Sequence, residues 1–357
     1  MRSCDGDSHH GGRAGGNHSP AECNGVCLAV FVPCDGYYEL FGIFGFDGLL
    51  IFGLFLHCYC LPVFLYLWAR EVTLRDYRTG AGFIKEKEVG TIGFVGGGNM
   101  AEALIRGITS AGVYEAADIY VSDIRAESLD YLADNYGVQK SAGNSDLAGR
   151  VDVLILSVKP QNMAEVLESI KSSVKSDALI ISIAAGVKVV DIAAGLGEAA
   201  IMRVMPNTPA LIGEGASGLF ANEKAKPRLE EAKSIFSAVG KVVIVDDEGL
   251  IDVVTAVSGS GPAYYFLLME QMIRAAVELG LEEAAAKELV LQTAKGAALL
   301  AVEGDKRGES PAELRRKVTS PGGTTEAALG VLRKGKFNSL VESAIKRACE
   351  RSGELSG

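Results

Sequence analysis

Gly96, Gly97 and Gly98, followed by Asn99, Met100 and Ala101, carry the G-x-G-x-x-A spacing of a turn that cradles phosphate. Glycine permits the tight turn and the close approach of backbone to a pyrophosphate, and Ala101 lets helix and strand pack closely. A helix starting at this point presents free N–H groups and the positive end of its dipole to an anion. The chemistry implied is dinucleotide binding and, with it, hydride transfer. No histidine follows His57, and Cys349 is the one cysteine after Cys60. Beyond residue 60 the chain therefore has no histidine base, no Ser-His-Asp triad and no His/Cys zinc site, and no metal is expected.

Such a turn must sit between a strand and a helix. Residues 89–95 (VGTIGFV) are an apolar, β-branched run, and residues 102–110 continue as a helical pattern. Strands are then expected at 118–122, 151–156, 179–183, 201–204 and 241–245, separated by helical stretches such as 127–136 and 162–170. This alternation predicts an α/β Rossmann fold, a doubly wound parallel sheet with helices on both faces. Ligands of such sheets lie beyond the carboxyl ends of the strands. Ser122, Ser157, Val158, Ala185 and Asn207 fall at those ends. Asp123 could bond the ribose hydroxyls of NAD, whereas Arg125 could pair with the extra phosphate of NADP. The two pull in opposite directions, so NADPH and NADH both stay open. Lys159 could meet cofactor phosphate or ribose, or be a plain exposed loop lysine.

After Asp246 the strand pattern stops and an all-α region follows, with helices expected at 262–280, 282–302, 311–318, 324–332 and 338–351. The long alanine-rich runs carry too much apolar surface for one small domain, which implies burial between subunits. Two glycine-punctuated loops are expected here, Ser258-Gly259-Ser260-Gly261-Pro262-Ala263-Tyr264 and Val318-Thr319-Ser320-Pro321-Gly322-Gly323-Thr324-Thr325. Each sets hydroxyls and backbone N–H groups at a helix start, which suits a carboxylate. Ordinary N-capping by Ser and Thr is the simpler explanation for either loop alone. Two in one chain favour a small anionic ligand.

The composition divides the chain. With 48% hydrophobic and 22% charged residues it is neither disordered nor disulfide-dense, and a net charge of −10 argues against a nucleic-acid partner. Six of the seven cysteines and all four histidines nevertheless lie in the first 60 residues. Residues 48–69 contain no formal charge and would be long enough to cross roughly 30 Å of hydrocarbon. Arg70, Arg75, Arg78 and Lys85 follow that segment, so as a membrane anchor it would leave the remainder in the cytoplasm. An over-extended reading frame or a targeting peptide is the alternative. The expected divisions are an extension over 1–85, a dinucleotide-binding domain over 86–246, and a helical substrate and dimerisation domain over 247–357.

GFVGGGNMAEAL, SVKP, NTP, VSGSGPAYY and KVTSPGGTT occur in this order from about Glu86 onward, and the combination resembles pyrroline-5-carboxylate reductase. The resemblance implies NAD(P)H-dependent reduction of 1-pyrroline-5-carboxylate to L-proline by a homodimer or larger homo-oligomer in the cytoplasm. By residue-for-residue match it implies that Thr325 bonds the ring nitrogen, that Ser320 with the N–H groups around Gly322, Gly323 and Thr324 holds the carboxylate, that Thr255 borders the pocket, and that Asn144 contacts the cofactor ribose. The first 85 residues have no counterpart in the pattern. Two other functions remain open. A related imine or β-hydroxyacid oxidoreductase would usually need a lysine early in the first long helix, where none precedes Lys287. A membrane-tethered nucleotide sensor would have no need of the TSPGGTT loop.

Overall fold

The structure, a computed structural model, describes residues 31–34, 37–40 and 90–355. The chain divides into two units, Met1–Ile84 and Lys85–Gly357. In the first, strands β1 (Phe31–Cys34) and β2 (Tyr37–Leu40) pair antiparallel. The segment 48–69, for which a membrane anchor is one expectation, lies outside the described residues. Among the described residues no helix is long and apolar enough to cross a membrane.

The second unit contains an eight-stranded sheet. In chain order its strands are β3 (Ile92–Val95), β4 (Ile119–Ser122), β5 (Gln139–Lys140), β6 (Val153–Leu156), β7 (Leu179–Ser182), β8 (Ala200–Met205), β9 (Gly215–Ala221) and β10 (Gly240–Ile244). Across the sheet they lie β10-β9-β8-β7-β6-β3-β4-β5. Strands β3, β6 and β7 are buried at every position, because IGFV, VLIL and LIIS are covered by helices on both faces. Phe94, Leu104, Ile108 and Phe236 pack in the core on one face, and Leu147, Leu154, Leu156 and Leu167 on the other. The strand order reverses between β3 and β6, which is where a doubly wound sheet opens a crevice for a ligand.

The sheet departs from the expected all-parallel form at one end. Strand β9 runs antiparallel to β8, and β10 runs parallel to β9. The β8–β9 connection holds only a short 3₁₀ turn, Thr208–Ile212. A parallel return needs a crossover of about a dozen residues or more, so this short link must reverse the chain direction. Neither β9 nor the two-residue edge strand β5 is among the strands expected from the sequence.

The helices that accompany the sheet are α1 (Asn99–Ser110), α2 (Ala126–Tyr136), α3 (Asn144–Arg150), α4 (Met163–Ile170), α5 (Val189–Leu196) and α6 (Leu229–Ser237). After β10 the described chain is helical, with α7 (Leu250–Val254), a π-helical turn at Thr255–Gly259, α8 (Gly261–Glu278), α9 (Glu283–Asp305), α10 (Pro311–Lys317), α11 (Thr324–Lys334) and α12 (Phe337–Leu355). The Ser258–Gly261 stretch is thus no loop. It is a widened helical turn that joins α7 to α8, a geometry that recurs at functional sites.

Helices α8 and α9 bury very little within one chain. Gly261 is the single buried residue of the 18 in α8, while Tyr265, Phe266, Leu267, Leu289 and Leu300 all lie exposed. Apolar surface is worth roughly 25 cal/mol per Å² when removed from water. Faces this apolar fit the burial between subunits expected from the sequence.

Candidate active site

The glycine turn follows β3 directly. Gly96 has φ +99°, and its N–H donates to the Ser122 carbonyl at 2.7 Å, linking the ends of β3 and β4. A β-carbon at Gly96 would stand 2.7 Å from the Ser157 carbonyl oxygen, so no larger residue fits. Gly98 precedes α1 and has no side-chain cap, and a β-carbon added to it would meet no atom within 4 Å. The N–H groups of the first turn, at Asn99, Met100 and Ala101, therefore look into an uncapped cradle that fits a pyrophosphate.

Asp123, at the end of β4, is turned inward. Its Oδ2 accepts the Gly97 N–H at 2.7 Å, and its Oδ1 accepts the Arg125 backbone N–H at 2.8 Å and Nε at 3.2 Å. Burial alone would raise its pKa. The hydrogen bonds from the Arg125 side chain and backbone and from Gly97 outweigh this and hold it below the ordinary carboxylate range. Because the folded-state value is depressed, this bond stabilises the turn above the ordinary range and is lost as the pH falls through the lowered value. The Arg125 side chain remains 58% exposed while it grips Asp123.

The neighbouring strand ends converge on this turn. The Ser157 hydroxyl lies 2.9 Å from the Val95 carbonyl and 2.6 Å from that of Gly96, so it clamps the turn from β6. Val158 flanks the turn, its Cγ1 3.2 Å from a β-carbon placed at Gly96. Ser122 donates to Asn144 Oδ1 at 2.7 Å, and Asn144 Nδ2 reaches Ser169 at 3.3 Å, which places Asn144 at the start of α3 beside β4. Lys159 is exposed; its carbonyl accepts the Asn162 N–H at 2.9 Å, while its side chain has no hydrogen-bond or ionic partner among the described residues. Ala185 is half-buried in the loop after β7, next to Gly186, whose φ is +73°.

Asn207 has both ends of its amide engaged. Its Nδ2 donates to the Ser258 carbonyl at 3.0 Å and its Oδ1 accepts the Ala216 N–H at 2.8 Å. It thereby ties the end of β8 to the π turn and to β9. The π turn is also braced by Tyr264, whose hydroxyl donates to the Ala256 carbonyl at 3.1 Å. The Thr255 hydroxyl donates to the Ile251 carbonyl at 2.8 Å, leaving its oxygen free only to accept.

The Thr319–Thr325 loop makes no hydrogen bond to these groups within one chain. Its bonds are local: Thr319 donates to the Arg315 carbonyl, Gly322 N–H to Glu326 Oε2 at 2.7 Å, and Gly323 N–H to the Ser320 carbonyl at 3.0 Å. Gly322, with φ +72°, makes the turn. The hydroxyls of Ser320, Thr324 and Thr325 have no partner among the described residues, and α11 begins without a side-chain cap. Of the groups expected to hold a carboxylate, the N–H groups of Gly322 and Gly323 are thus already bonded. The Ser320 hydroxyl and the N–H groups of Thr324 and Thr325 are open. Glu326 is a contributor not foreseen in the sequence, although an acidic residue in the first turn of a helix is the signal that would have found it.

Comparison with known proteins points the same way. A family model for pyrroline-5-carboxylate reductase dimerisation matches residues 248–355, and one for NADP oxidoreductase, coenzyme F420-dependent, matches residues 91–186. A pyrroline-5-carboxylate reductase of Pseudomonas aeruginosa is 47% identical over 266 residues, covering 74% of this chain and 96% of that protein. One from Arabidopsis thaliana is 37% identical over 269 residues, with 74% and 95% covered. The solved structure of the Coxiella burnetii enzyme superposes with a TM-score of 0.71 at 41% identity, over 76% of this chain and all of that one. The Plasmodium falciparum reductase, solved with NADP bound, gives a TM-score of 0.66 at 32% identity, over 75% and 98%. With relatives this similar matched over nearly their whole length, the chain belongs to the pyrroline-5-carboxylate reductase family.

Proposed function

We propose that this chain reduces 1-pyrroline-5-carboxylate to L-proline, with the residues of 86–246 holding NAD(P)H and those of 247–357 holding the substrate and the partner subunit. The observation that carries this assignment is the pairing, in one chain, of an uncapped glycine turn at a strand-order reversal with a second uncapped helix start whose Ser320, Thr324 and Thr325 hydroxyls are unspent. The first suits a pyrophosphate and the second a carboxylate beside a polar ring atom. Homodimerisation through the exposed faces of α8 and α9 supplies the neighbouring surface that the Thr319–Thr325 loop lacks in a single chain. Substrate and cofactor are both water-borne, which supports the cytoplasm as the site of the reaction.

Reduction of a cyclic C=N bond needs a hydride on carbon and a proton on nitrogen. A bound reduced nicotinamide supplies the hydride, and the chain's own groups must hold the ring in register with it. Gly96, Gly98 and the N–H groups of Asn99, Met100 and Ala101 take the pyrophosphate. Ser122, Asp123, Arg125, Asn144 and Lys159 border the adenosine side, and Ser157, Val158, Ala185 and Asn207 border the route to the nicotinamide. The Ser320 hydroxyl and the Thr324 and Thr325 N–H groups hold the substrate carboxylate, while Gly322 and Gly323 shape the loop. Thr255, able only to accept, borders the pocket from the π turn. The Thr325 oxygen accepts from the ring nitrogen of a substrate that arrives protonated, since residues 58–357 contain no histidine to protonate it.

A chain that starts near Glu86 is expected to fold and to form proline at the rate of the full chain, because every group named above lies after that point. A truncated chain that folds but loses turnover would assign a role in catalysis to the extension. For cofactor choice, Asp123→Ser is expected to raise the preference for NADPH over NADH by about fivefold, since a charge at 4 Å in water acts with roughly 1 kcal/mol. It should also weaken binding of both nucleotides, because the bond to the Gly97 N–H goes with the carboxylate. An unchanged ratio of kcat/KM values for the two nucleotides would show that Asp123 does not face the ribose.

A further inference from the structure

Arg203 lies in β8 with its side chain only 4% exposed, and its Nη1 meets Glu248 Oε1 at 2.8 Å. Arginine cannot shed its charge in a protein, so a guanidinium removed from water must keep a partner. The same Glu248 oxygen accepts the N–H of Val189, the first residue of α5, at 2.7 Å. Glu248 also opens the turn into α7, its carbonyl accepting the Ile251 N–H at 3.0 Å.

One carboxylate oxygen therefore joins three pieces of the fold. Strand β8 leads to Asn207, the β7–α5 loop carries Ala185, and α7 runs into the π turn with Thr255 and Ser258. The Asn207–Ser258 bond is a second tie between β8 and the helical region. A single tie would leave a pivot, whereas two, one at Arg203 within β8 and one at Asn207 just beyond its end, fix the angle between the sheet and the π turn. The α5 helix runs on into β8, but Glu248 is 45 positions from Arg203 and 59 from Val189, so its carboxylate supplies a tie that chain connectivity does not.

We propose that Glu248, acting through Arg203 and the Val189 N–H, is a positioning residue for the reaction, fixing the Ala185 loop and the π turn against the end of β8. This rests on the placement of the site described above. The pair makes no side-chain hydrogen bond to the glycine turn or to the Thr319–Thr325 loop. Its removal should therefore misalign the reacting groups while the main phosphate anchors stay in place.

The test is Glu248→Gln, which keeps the shape and the acceptor for Val189 but leaves Arg203 without a counter-charge. Its kcat/KM for pyrroline-5-carboxylate should fall by about ten- to hundredfold, the scale of a misplacement near 1 Å. The NADPH dissociation constant, by fluorescence titration, should change by no more than about threefold, since the anchors at Gly96, Gly98 and Asp123 follow β3 and β4, three and four strands from β8 in the sheet. Arg203→Lys, which keeps the charge at a shorter reach, should show the same selective pattern with a smaller loss, and it carries the test alone should Glu248→Gln not fold. A folded variant with wild-type kcat/KM and merely a lowered Tm would overturn the proposal, as would equal losses in kcat/KM and in NADPH affinity. Failure of the site assignment itself has a different signature, namely a Thr325→Ala enzyme with unaltered kinetics.

Discussion

Gly96→Ala is expected to cost the enzyme most of its affinity for NAD(P)H. At φ +99° a residue with a β-carbon is strained, and that atom would stand 2.7 Å from the Ser157 carbonyl oxygen, a backbone atom with no freedom to swing aside. A residue forced into such a region costs of order 1–3 kcal/mol, which is about five- to 150-fold if it is spent at the binding step. Movement of Ser157 would also break the clamp its hydroxyl makes on the carbonyls of Val95 and Gly96. Gly98→Ala is the informative comparison. At φ −80° with nothing within 4 Å, an alanine there strains nothing, yet its methyl group enters the space in front of α1. Both variants should bind NADPH weakly in a fluorescence titration, and only Gly96→Ala should melt earlier. A Gly96→Ala enzyme with wild-type NADPH affinity would remove the glycine turn from the cofactor site.

Thr325→Ala separates two routes for the proton. If the substrate arrives as the iminium ion, the Thr325 oxygen accepts its N–H and orients the ring without supplying a proton. A hydrogen bond involving a charged group is worth about 1 to 3 kcal/mol, or roughly five- to 150-fold in rate. The variant should be slowed within that range, and its kcat/KM should decline at high pH in parallel with that of the wild type as the iminium deprotonates. If Thr325 were the donor, the loss would reach several orders of magnitude and deepen at high pH, where the neutral imine dominates. Profiles of kcat/KM against pH for both proteins distinguish the cases. Unaltered kinetics at every pH would exclude Thr325 from the site.

The elements that can be read from the sequence are those whose local pattern agrees with their final environment. IGFV, VLIL and LIIS are apolar throughout because both faces of their strands are covered, and the glycine turn follows the first of them without a break. Strand β9 is GASGLFA, with two glycines and two other small residues ahead of its apolar end, so it shows neither an apolar run nor alternation. Its direction depends on the length of the link from β8, which no pattern within β9 records. The Ser258-Gly259-Ser260-Gly261 stretch has the composition of a loop, yet the π-helical turn runs into it as far as Gly259, with Asn207 bonding the Ser258 carbonyl and Tyr264 that of Ala256 just before it.

In the site, residue types are legible and orientation is not. Asp123 and Arg125 are two positions apart and carry opposite charges, yet nothing in SDIR reveals that the carboxylate turns inward to the Gly97 N–H and takes the arginine with it. The SPGGTT motif marks the second helix start and Glu326 stands in its first turn, but which N–H the carboxylate captures, that of Gly322, is fixed by side-chain geometry. Arg203 and Glu248 lie 45 positions apart and belong to no common motif.

Transfer of the hydride can be followed atom by atom. The purified chain is incubated with pyrroline-5-carboxylate and NADPH deuterated at the transferable position of C4, and the proline formed is examined by mass spectrometry and NMR. One deuterium is expected at C5 of L-proline for each NADPH oxidised, with turnover lost in Gly96→Ala at low cofactor concentration. Oxidation of NADPH without labelled proline, or no oxidation when both reactants are present, would contradict the proposed reaction.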